Sequence, residues 1–409
     1  MNFTYRVFVA FIRLVLPVIA LFNKKIKLFV KGRKETLSKI QSLKGQETIW
    51  FHVASLGEFE QARPIIEEVK KEHPKYKILI TFFSPSGYEI RKNYALADVV
   101  CYLPLDSKSN AEQFVRIVNP KLAIFVKYEF WPNFLFALQK QNCKTILVSG
   151  IFRENQIFFE WYGKLMRKAL MTFDHFFVQN SESKELLKSL AFGNVTISGD
   201  TRFDRVAKIL HQKTSLGFVE KFKEDQQTVV AGSTWKEDEN ILVPFINKSQ
   251  NTKFIIAPHN INKKSVLALK DRISKSVILY SEMEGKLIDE YEVLIVDTIG
   301  LLTKVYAYAD MAYVGGGFKT GLHNILEPAT FGIPIVIGDK FDKFQEAIDL
   351  VKLGGCFSIS NAKGMDTIFD KILNDVAFRE LSGKIAGDYI QENRGATEKI
   401  IAYINTTVA

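Results

Sequence analysis

Cysteine is scarce: three residues in 409, Cys101, Cys143 and Cys356, lie far apart in the chain. That spacing makes neither a disulfide framework nor a metal knuckle, and fits a reducing compartment with the thiols buried as small apolar groups. No cluster of metal-ligating residues stands out elsewhere, and no sequence repeat is present. No nucleic-acid-binding motif accompanies the basic charge. The apolar run near the N-terminus is not followed by a small-residue cleavage site, which argues against a removed signal peptide. Nor is the chain poor in apolar residues: 47% are hydrophobic and 24% charged, so it is globular rather than disordered. Its length exceeds one typical core and suits two or three domains.

What is present begins with charge. The formal net charge is +10, which implies an anionic partner, and Phe is abundant at 33 residues. The basic residues crowd beside an apolar segment, so membrane or anionic lipid is the better reading, with no nucleic acid. Val7–Phe22 is apolar except for Arg13. As a helix it would reach about 24 Å, short of the roughly 30 Å hydrocarbon core. Extending it to Phe3 makes a span feasible, but Arg6 and Arg13 share a face and are costly at mid-bilayer. The following cluster, Lys24, Lys25, Lys27, Lys31, Arg33 and Lys34, would hold the rest of the chain on the cytoplasmic side. A membrane anchor, spanning or lying in the interface, is expected over residues 1–34. The bland alternative is an N-terminal helix packed on the body with a solvated basic end.

Beyond residue 34 short apolar runs alternate with helical patterns. Expected strands are Thr48–Val53, Lys77–Phe83, Val99–Tyr102, Leu122–Val126, Thr145–Ser149, His175–Val178 and Val195–Ile197. A second series follows: Thr228–Ala231, Lys253–Ala257, Val277–Tyr280, Val293–Val296, Met311–Val314 and Pro334–Ile337, with helical pattern from about Met365 onward. Strands spaced by helices imply parallel sheets with right-handed crossovers. The fold class is therefore α/β, with two Rossmann-like domains at 35–205 and 206–409 facing across a cleft at the carboxyl ends of both sheets.

Three stretches carry chemistry. In YVGGGFKTGLHNILEP, an apolar strand runs into Gly315, Gly316 and Gly317; His323 and Asn324 are expected at the head of a helix carrying Glu327. Glycines admit a ligand close to the backbone, a helix N-terminus favours an anion, and a carboxylate suits sugar hydroxyls. This is a site for a phosphate attached to a sugar, and it resembles the donor site of sugar-nucleotide glycosyltransferases of GT-B architecture. In HVASLGEFEQARP, Ser55 and Gly57 make the turn after the first strand and Glu58 opens a helix. A carboxylate there is a candidate base if burial lifts its pKa, although a helix start works the other way. In KYEFWPN, Glu129 follows a second parallel strand, and two nearby carboxylates would raise one pKa.

Taken in order, the motifs resemble one family. HVASLGE looks like the H-x-x-S-x-G-E motif of 3-deoxy-D-manno-octulosonic acid (Kdo) transferases, KYEFWPN their E-x-E-x-W-P-N, SGDTRFD their T-G-N-x-K-F-D, AGSTWKEDE their A-S-T-x-x-x-E-E, and GGGFKTGLHNILEPATFGIP their G-G-S…G-G-H-N-x-L-E-P-A-x-x-G-x-P. The set covers about residues 48–347. The resemblance implies an inverting glycosyltransferase that moves Kdo from CMP-Kdo to a tetra-acylated, bisphosphorylated lipid A precursor (lipid IVA) in lipopolysaccharide biosynthesis, without cofactor or bound metal. It implies a location on the cytoplasmic face of the inner membrane. By carry-over Glu58 is the base and Glu129 its hydrogen-bonding partner. Ser233, Thr234, Gly315, Gly316, Gly317, His323, Asn324 and Glu327 hold the donor; Ser55, Gly57, Lys24, Lys25, Lys27 and Lys31 belong to the acceptor and membrane side. Departures exist: Lys127 replaces the first carboxylate of E-x-E, Gly317 replaces the serine of G-G-S, and Pro258-His259-Asn260 replaces P-R-H. His259, Lys263 and Lys264 are the candidates to stand in for that arginine. The competing readings are a sugar-nucleotide epimerase of the same architecture and a non-catalytic membrane-bound lipid A binder.

Overall fold

A computed structural model describes residues 3–211, 215–319 and 321–408. It divides into two compact units, residues 1–205 with 394–409, and residues 206–393. Unit 1 holds a seven-stranded sheet built from β1 (Thr48–Val53), β2 (Lys77–Phe82), β3 (Val99–Tyr102), β4 (Leu122–Val126), β5 (Lys144–Gly150), β6 (His175–Val178) and β7 (Val195–Ile197), in the order β3-β2-β1-β4-β5-β6-β7. Unit 2 holds β8 (Gln227–Thr234), β9 (Thr252–Pro258), β10 (Val277–Leu279), β11 (Val293–Ile295), β12 (Met311–Val314), β13 (Ile335–Gly338) and β14 (Cys356–Ile359), in the order β10-β11-β9-β8-β12-β13-β14. Every strand pairing is parallel.

The strand sequences explain this topology. β1 and β4 are buried along their whole length, as a central parallel strand covered on both faces must be. One face of the first sheet packs Trp50, Phe114, Phe125 and Phe134; the other packs Phe51, Phe59, Ile65 and Ile124. In each unit strand order reverses once next to the first strand, between β1 and β4 and between β8 and β12. Loops at the carboxyl ends of such a pair diverge and leave a crevice, where ligands of open α/β sheets bind.

Two parts differ from the sequence reading. The last helix, Ala396–Val408, belongs to unit 1 rather than to the C-terminal half. Its stripe Ile400, Ile401, Ile404 and Val408 packs in the core that contains Phe59 and Ile65, and Asp204 receives the Gly395 and Thr397 amides at its start. β14 was not expected; Cys356–Ile359 is short and adds the outermost strand beside β13.

At the N-terminus α1 (Phe3–Phe22) and α2 (Lys24–Lys34) are separate helices, with Asn23 capping the second through its Oδ1 (2.9 Å to Lys25 N, 3.1 Å to Ile26 N). Residues 4–22 are long and apolar enough to cross a membrane. Yet α1 lies along unit 1. Tyr5, Val9, Ile12, Leu16 and Ala20 form a partly buried stripe, and the Tyr5 hydroxyl donates to Asp106 Oδ2 at 2.6 Å. The opposite face leaves Phe8, Phe11, Leu14, Val18, Leu21 and Phe22 exposed. Gly32 lets α2 press against β3: a Cβ there would stand 2.2 Å from the Tyr102 ring.

Candidate active site

In unit 1 the loops after β1 and β4 flank the strand-order reversal, and they carry Glu58 and Glu129. Ser55 is the N-cap of Leu56–Glu72 by position, but its side chain makes no cap bond. Glu58, in the first turn, folds back and accepts the Ala54 amide instead. A Cβ at Gly57, two residues after the cap, would touch only the Ser55 hydroxyl, at 3.9 Å. Glu58 is 8% exposed. Burial, then the Glu129 charge, lifts its pKa to about 8, against the lowering pull of the Ala54 amide, Lys127 and the Ser55 amide. Desolvation thus outweighs the helix start that would favour the ionised form.

Glu129 is placed by a kink. Lys127, immediately after β4, adopts a left-handed φ of 64° while its amide bonds Val148 O at 3.0 Å. A non-glycine residue is strained there by about 1 kcal/mol. The chain then turns so that Glu129 Oε2 receives Trp131 Nε1–H at 2.8 Å and sits 3.0 Å from His52 Nε2. His52 is fully buried, with Nδ1 2.8 Å from Thr81 Oγ1. Thr81 Oγ1 accepts Trp50 Nε1–H at 2.8 Å. With Nε2 as the donor, the chain Trp50–Thr81–His52–Glu129 uses each N–H and O–H once. Phe83 stacks on Trp131 at 4.7 Å. His52 and Trp131 stand inside the motifs read from sequence, yet only the packing reveals that both hold Glu129.

In unit 2 the loops after β8 and β12 flank the second reversal. Ser233 takes a left-handed φ of 54°, and Thr234 is buried, its hydroxyl 3.4 Å from Glu239 Oε1. Gly315 must be glycine, since a Cβ would meet Ser233 O at 2.5 Å and Asp238 Oδ2 at 2.8 Å. Asp238 gathers the loops: it accepts from the Trp235 amide (2.8 Å), the Gly316 amide (3.0 Å) and the Tyr313 hydroxyl (2.7 Å). Gly317 lies against Gly338 of β13 and accepts the Lys340 amide at 2.7 Å.

The expected helix head at His323 is not formed. Gly321–Ile325 is loop, and the helix is the single turn Leu326–Ala329. The His323 amide is held by Gly315 O (3.2 Å), and Asn324 Oδ1 accepts the Leu326 amide (3.1 Å). One turn supplies no helix-terminus anion site. What the loop presents instead is an aromatic stack. Trp235 lies 4.3 Å from His259, and His259 4.6 Å from His323. Trp235 Nε1–H donates to His323 Nε2 at 3.0 Å. Burial, then His259, pulls the His323 pKa down to about 4. His323 is therefore neutral at pH 7 with its proton on Nδ1. Glu327 is also fixed in advance: Oε2 accepts from Thr303 Oγ1 at 2.7 Å and Oε1 from Asn324 Nδ2 at 3.1 Å. A cavity of about 380 Å³ beside Thr234 and Trp235 is lined by Asn260 and Lys264 among others. Of the three stand-ins for the arginine, His259 thus sits in the stack and Lys264 lines this cavity. Trp235, Asp238 and Thr303 were not singled out from sequence. Among the described residues no three His, Cys, Asp or Glu side chains are grouped as metal ligands.

Residues 30–205 match the family model described as "3-Deoxy-D-manno-octulosonic-acid transferase (kdotransferase)". The chain is 29% identical over 367 residues to the 3-deoxy-D-manno-octulosonic acid transferase of Aquifex aeolicus, covering 87% of this chain and 95% of the relative. It is 26% identical over 370 residues to the enzyme of the same name from Haemophilus influenzae, covering 86% and 85%. Among solved structures, the UDP-GlcNAc 2-epimerase of Neisseria meningitidis superposes with a TM-score of 0.61 at 14% identity, over 88% of this chain and 100% of that one. Acinetobacter baumannii MurG gives 0.56 at 10% identity, over 88% and 99%. These likenesses show the fold, the paired Rossmann-like α/β organisation of GT-B proteins. Over residues 30–205 the chain thus matches the 3-deoxy-D-manno-octulosonic acid transferase family model, and over most of its length it is similar to enzymes of that name.

Proposed function

We propose that this glycosyltransferase moves Kdo from CMP-Kdo to a hydroxyl of the tetra-acylated lipid A precursor, with inversion, and that Glu58 is the base. The observation that carries the reading is Glu58 itself: a buried carboxylate at the strand-order reversal with its pKa lifted to about 8. A base of that strength binds a proton firmly enough to take it from a hydroxyl yet ionises near neutral pH. As Glu58 removes the proton, the acceptor oxygen bonds to the anomeric carbon and CMP departs with the electron pair of the broken bond.

In this reading Glu129 fixes the field around Glu58, held by His52 and Trp131. The Ser55–Gly57 turn leaves room for the acceptor. On the donor side the His323 Nδ1–H and the Ser233 hydroxyl face the phosphate, where negative charge gathers as CMP leaves. Glu327, already oriented by Thr303 and Asn324, takes sugar hydroxyls. Gly315, Gly316 and Gly317 bring the backbone close, and Thr234 and His259 complete the wall. No cofactor enters the scheme, because CMP-Kdo supplies both sugar and leaving group.

The membrane part of the reading is that α1 lies in the cytoplasmic leaflet of the inner membrane. Its exposed apolar face supports this, as does the Tyr5–Asp106 bond near its start. Exposed Lys24, Lys25, Lys27 and Lys31 on α2 would meet anionic headgroups. The solved structures of similar fold include epimerases, and acceptor dependence separates the two activities. Labelled CMP-Kdo incubated with lipid IVA should give label in the lipid phase. Turnover of the nucleotide sugar without acceptor, and no labelled lipid, would favour the epimerase.

A further inference from the structure

Arg33 is a half-buried cation with no carboxylate partner among the described residues. Its guanidinium lies over the Phe29 ring at 3.3 Å, with Phe83 and Tyr102 at 4.9 and 5.2 Å. Nη1 donates to Phe29 O (3.1 Å) and Nη2 to Phe83 O (2.8 Å), while Nε is buried and has no hydrogen-bond partner. Among the described residues no Asp or Glu forms an ion pair with it. Burial pulls its pKa down to about 9, so it still carries its charge at neutral pH. A charge partly removed from water is costly unless an opposite charge offsets it, and among the described residues no carboxylate does so here.

Arg33 also lines a cavity of about 330 Å³ between α1, α2 and the segment after β3. Leu16, Pro17, Phe29, Val30, Leu37 and Leu105 give it apolar walls; Arg13 and Lys34 add two further cations. A cavity with three cations and apolar walls fits a ligand with an anionic head and a hydrocarbon tail. The cavity lies against α1, whose outer apolar face is exposed. It also adjoins the candidate site, because Phe83, whose carbonyl binds Arg33, stacks on Trp131, which bonds Glu129.

We propose that this cavity binds a phosphate ester carrying an acyl chain, with Arg33 as the counter-ion of the phosphate and Arg13 and Lys34 at its rim. The source of the ester is the phosphorylated lipid acceptor or a phospholipid of the surrounding leaflet; the first of these rests on the transferase reading, the second does not. Planar guanidinium is suited to the head, since it can present two N–H groups to two phosphate oxygens.

The test uses the full chain in neutral detergent and three probes: dioctanoyl phosphatidic acid, dioctanoylglycerol without the phosphate, and inorganic phosphate without the chains. Phosphatidic acid should bind about 10–100-fold more tightly than either control, the scale of a charge-assisted hydrogen bond. Leu16→Trp, which fills the cavity and alters no charge, and the exposed pair Arg13→Gln with Lys34→Gln should each weaken that binding. Arg33→Met should weaken it most, and thermal unfolding of each variant controls for folding. Equal binding of dioctanoylglycerol, or unchanged phosphatidic acid binding in Leu16→Trp, overturns the proposal. Source is read separately. If Leu16→Trp raises KM for phosphorylated acceptor but not for its dephosphorylated form, the ester is the acceptor's own. If KM stays and phosphatidic acid binding falls, it is a leaflet phospholipid. Absence of any transfer by the parent chain would sink the transferase reading while leaving the phosphatidic acid experiment fully informative.

Discussion

Replacing Glu129 by glutamine should move the acid limb of the pH–rate profile to lower pH. Glu58 is held near 8, first by burial and next by the Glu129 charge, with Lys127 pulling the other way. Glutamine keeps the shape of Glu129, and its amide oxygen can still accept from Trp131 and His52. The main change is therefore the loss of one negative charge. A like charge at close range shifts a carboxyl by about 1–3 units, and because burial leads here the lower end applies, about one unit. The sign follows directly. Only ionised Glu58 can accept a proton, and Glu129 tightens the hold on the proton it already carries. Without that charge the ionised fraction at pH 7 rises from about one tenth to about one half. The weaker base gives back part of this gain. Lys127→Met should shift the limb the opposite way. Profiles of kcat/KM across about pH 5–10 report the free-enzyme value for the coupled pair. An unmoved limb in Glu129→Gln, or a shift of both variants in one direction, refutes the electrostatic account of the base.

Three further outcomes follow from the same geometry. Glu327→Ala should weaken CMP binding, at about 1.5–3 kcal/mol for each lost bond to a carboxylate; titration calorimetry with unchanged affinity would remove Glu327 from the donor site. Neutralising Lys24, Lys25, Lys27 and Lys31 together should raise KM for lipid in anionic vesicles and soften its salt dependence, at about 1 kcal/mol for each charge near the surface; donor affinity should stay put, and a parental response to vesicle charge and salt would make the cluster a solvated face. The raised pKa of Glu58 means the folded state holds its proton more tightly than the unfolded chain, so its stabilising effect is full below about pH 4.5 and lost as pH rises through about 8. Glu58→Gln should therefore unfold at higher temperature than the parent at pH 8.5, with little difference at pH 4.5, and an equal difference at both pH values would contradict the burial argument.

Much of the fold was legible because buried parallel strands are continuous apolar runs, and most of them sit within a few residues of where the sequence put them. β14 escaped because four residues, one of them Ser358, make too short a run. The last helix was legible as a helix, since its apolar stripe repeats with helical period, but a stripe does not say which core it will join. The donor loop shows the same limit. GLHNILEP has the composition of a helix start, and the helix shrinks to one turn because His323 is tied back to Gly315 and Asn324 caps Leu326. Glu58 and Glu129 were legible as carboxylates at strand ends. The packing around them was not, because the burial of Glu58 and the His52 and Trp131 contacts of Glu129 arise only when segments distant in sequence pack together, as does the cavity beside Arg33.

In the proposed mechanism Glu58 takes the acceptor proton and other residues hold the nucleotide. The most direct measurement pairs two readouts on the parent chain and Glu58→Gln: transfer of labelled Kdo from CMP-Kdo to lipid IVA, and CMP affinity by calorimetry. The expected result is labelled lipid from the parent, a loss of about 10²-fold or more in the variant at saturating substrates, the scale of a removed general base, and the same CMP affinity in both. Near-parental transfer by Glu58→Gln, or no labelled lipid from the parent, would contradict it.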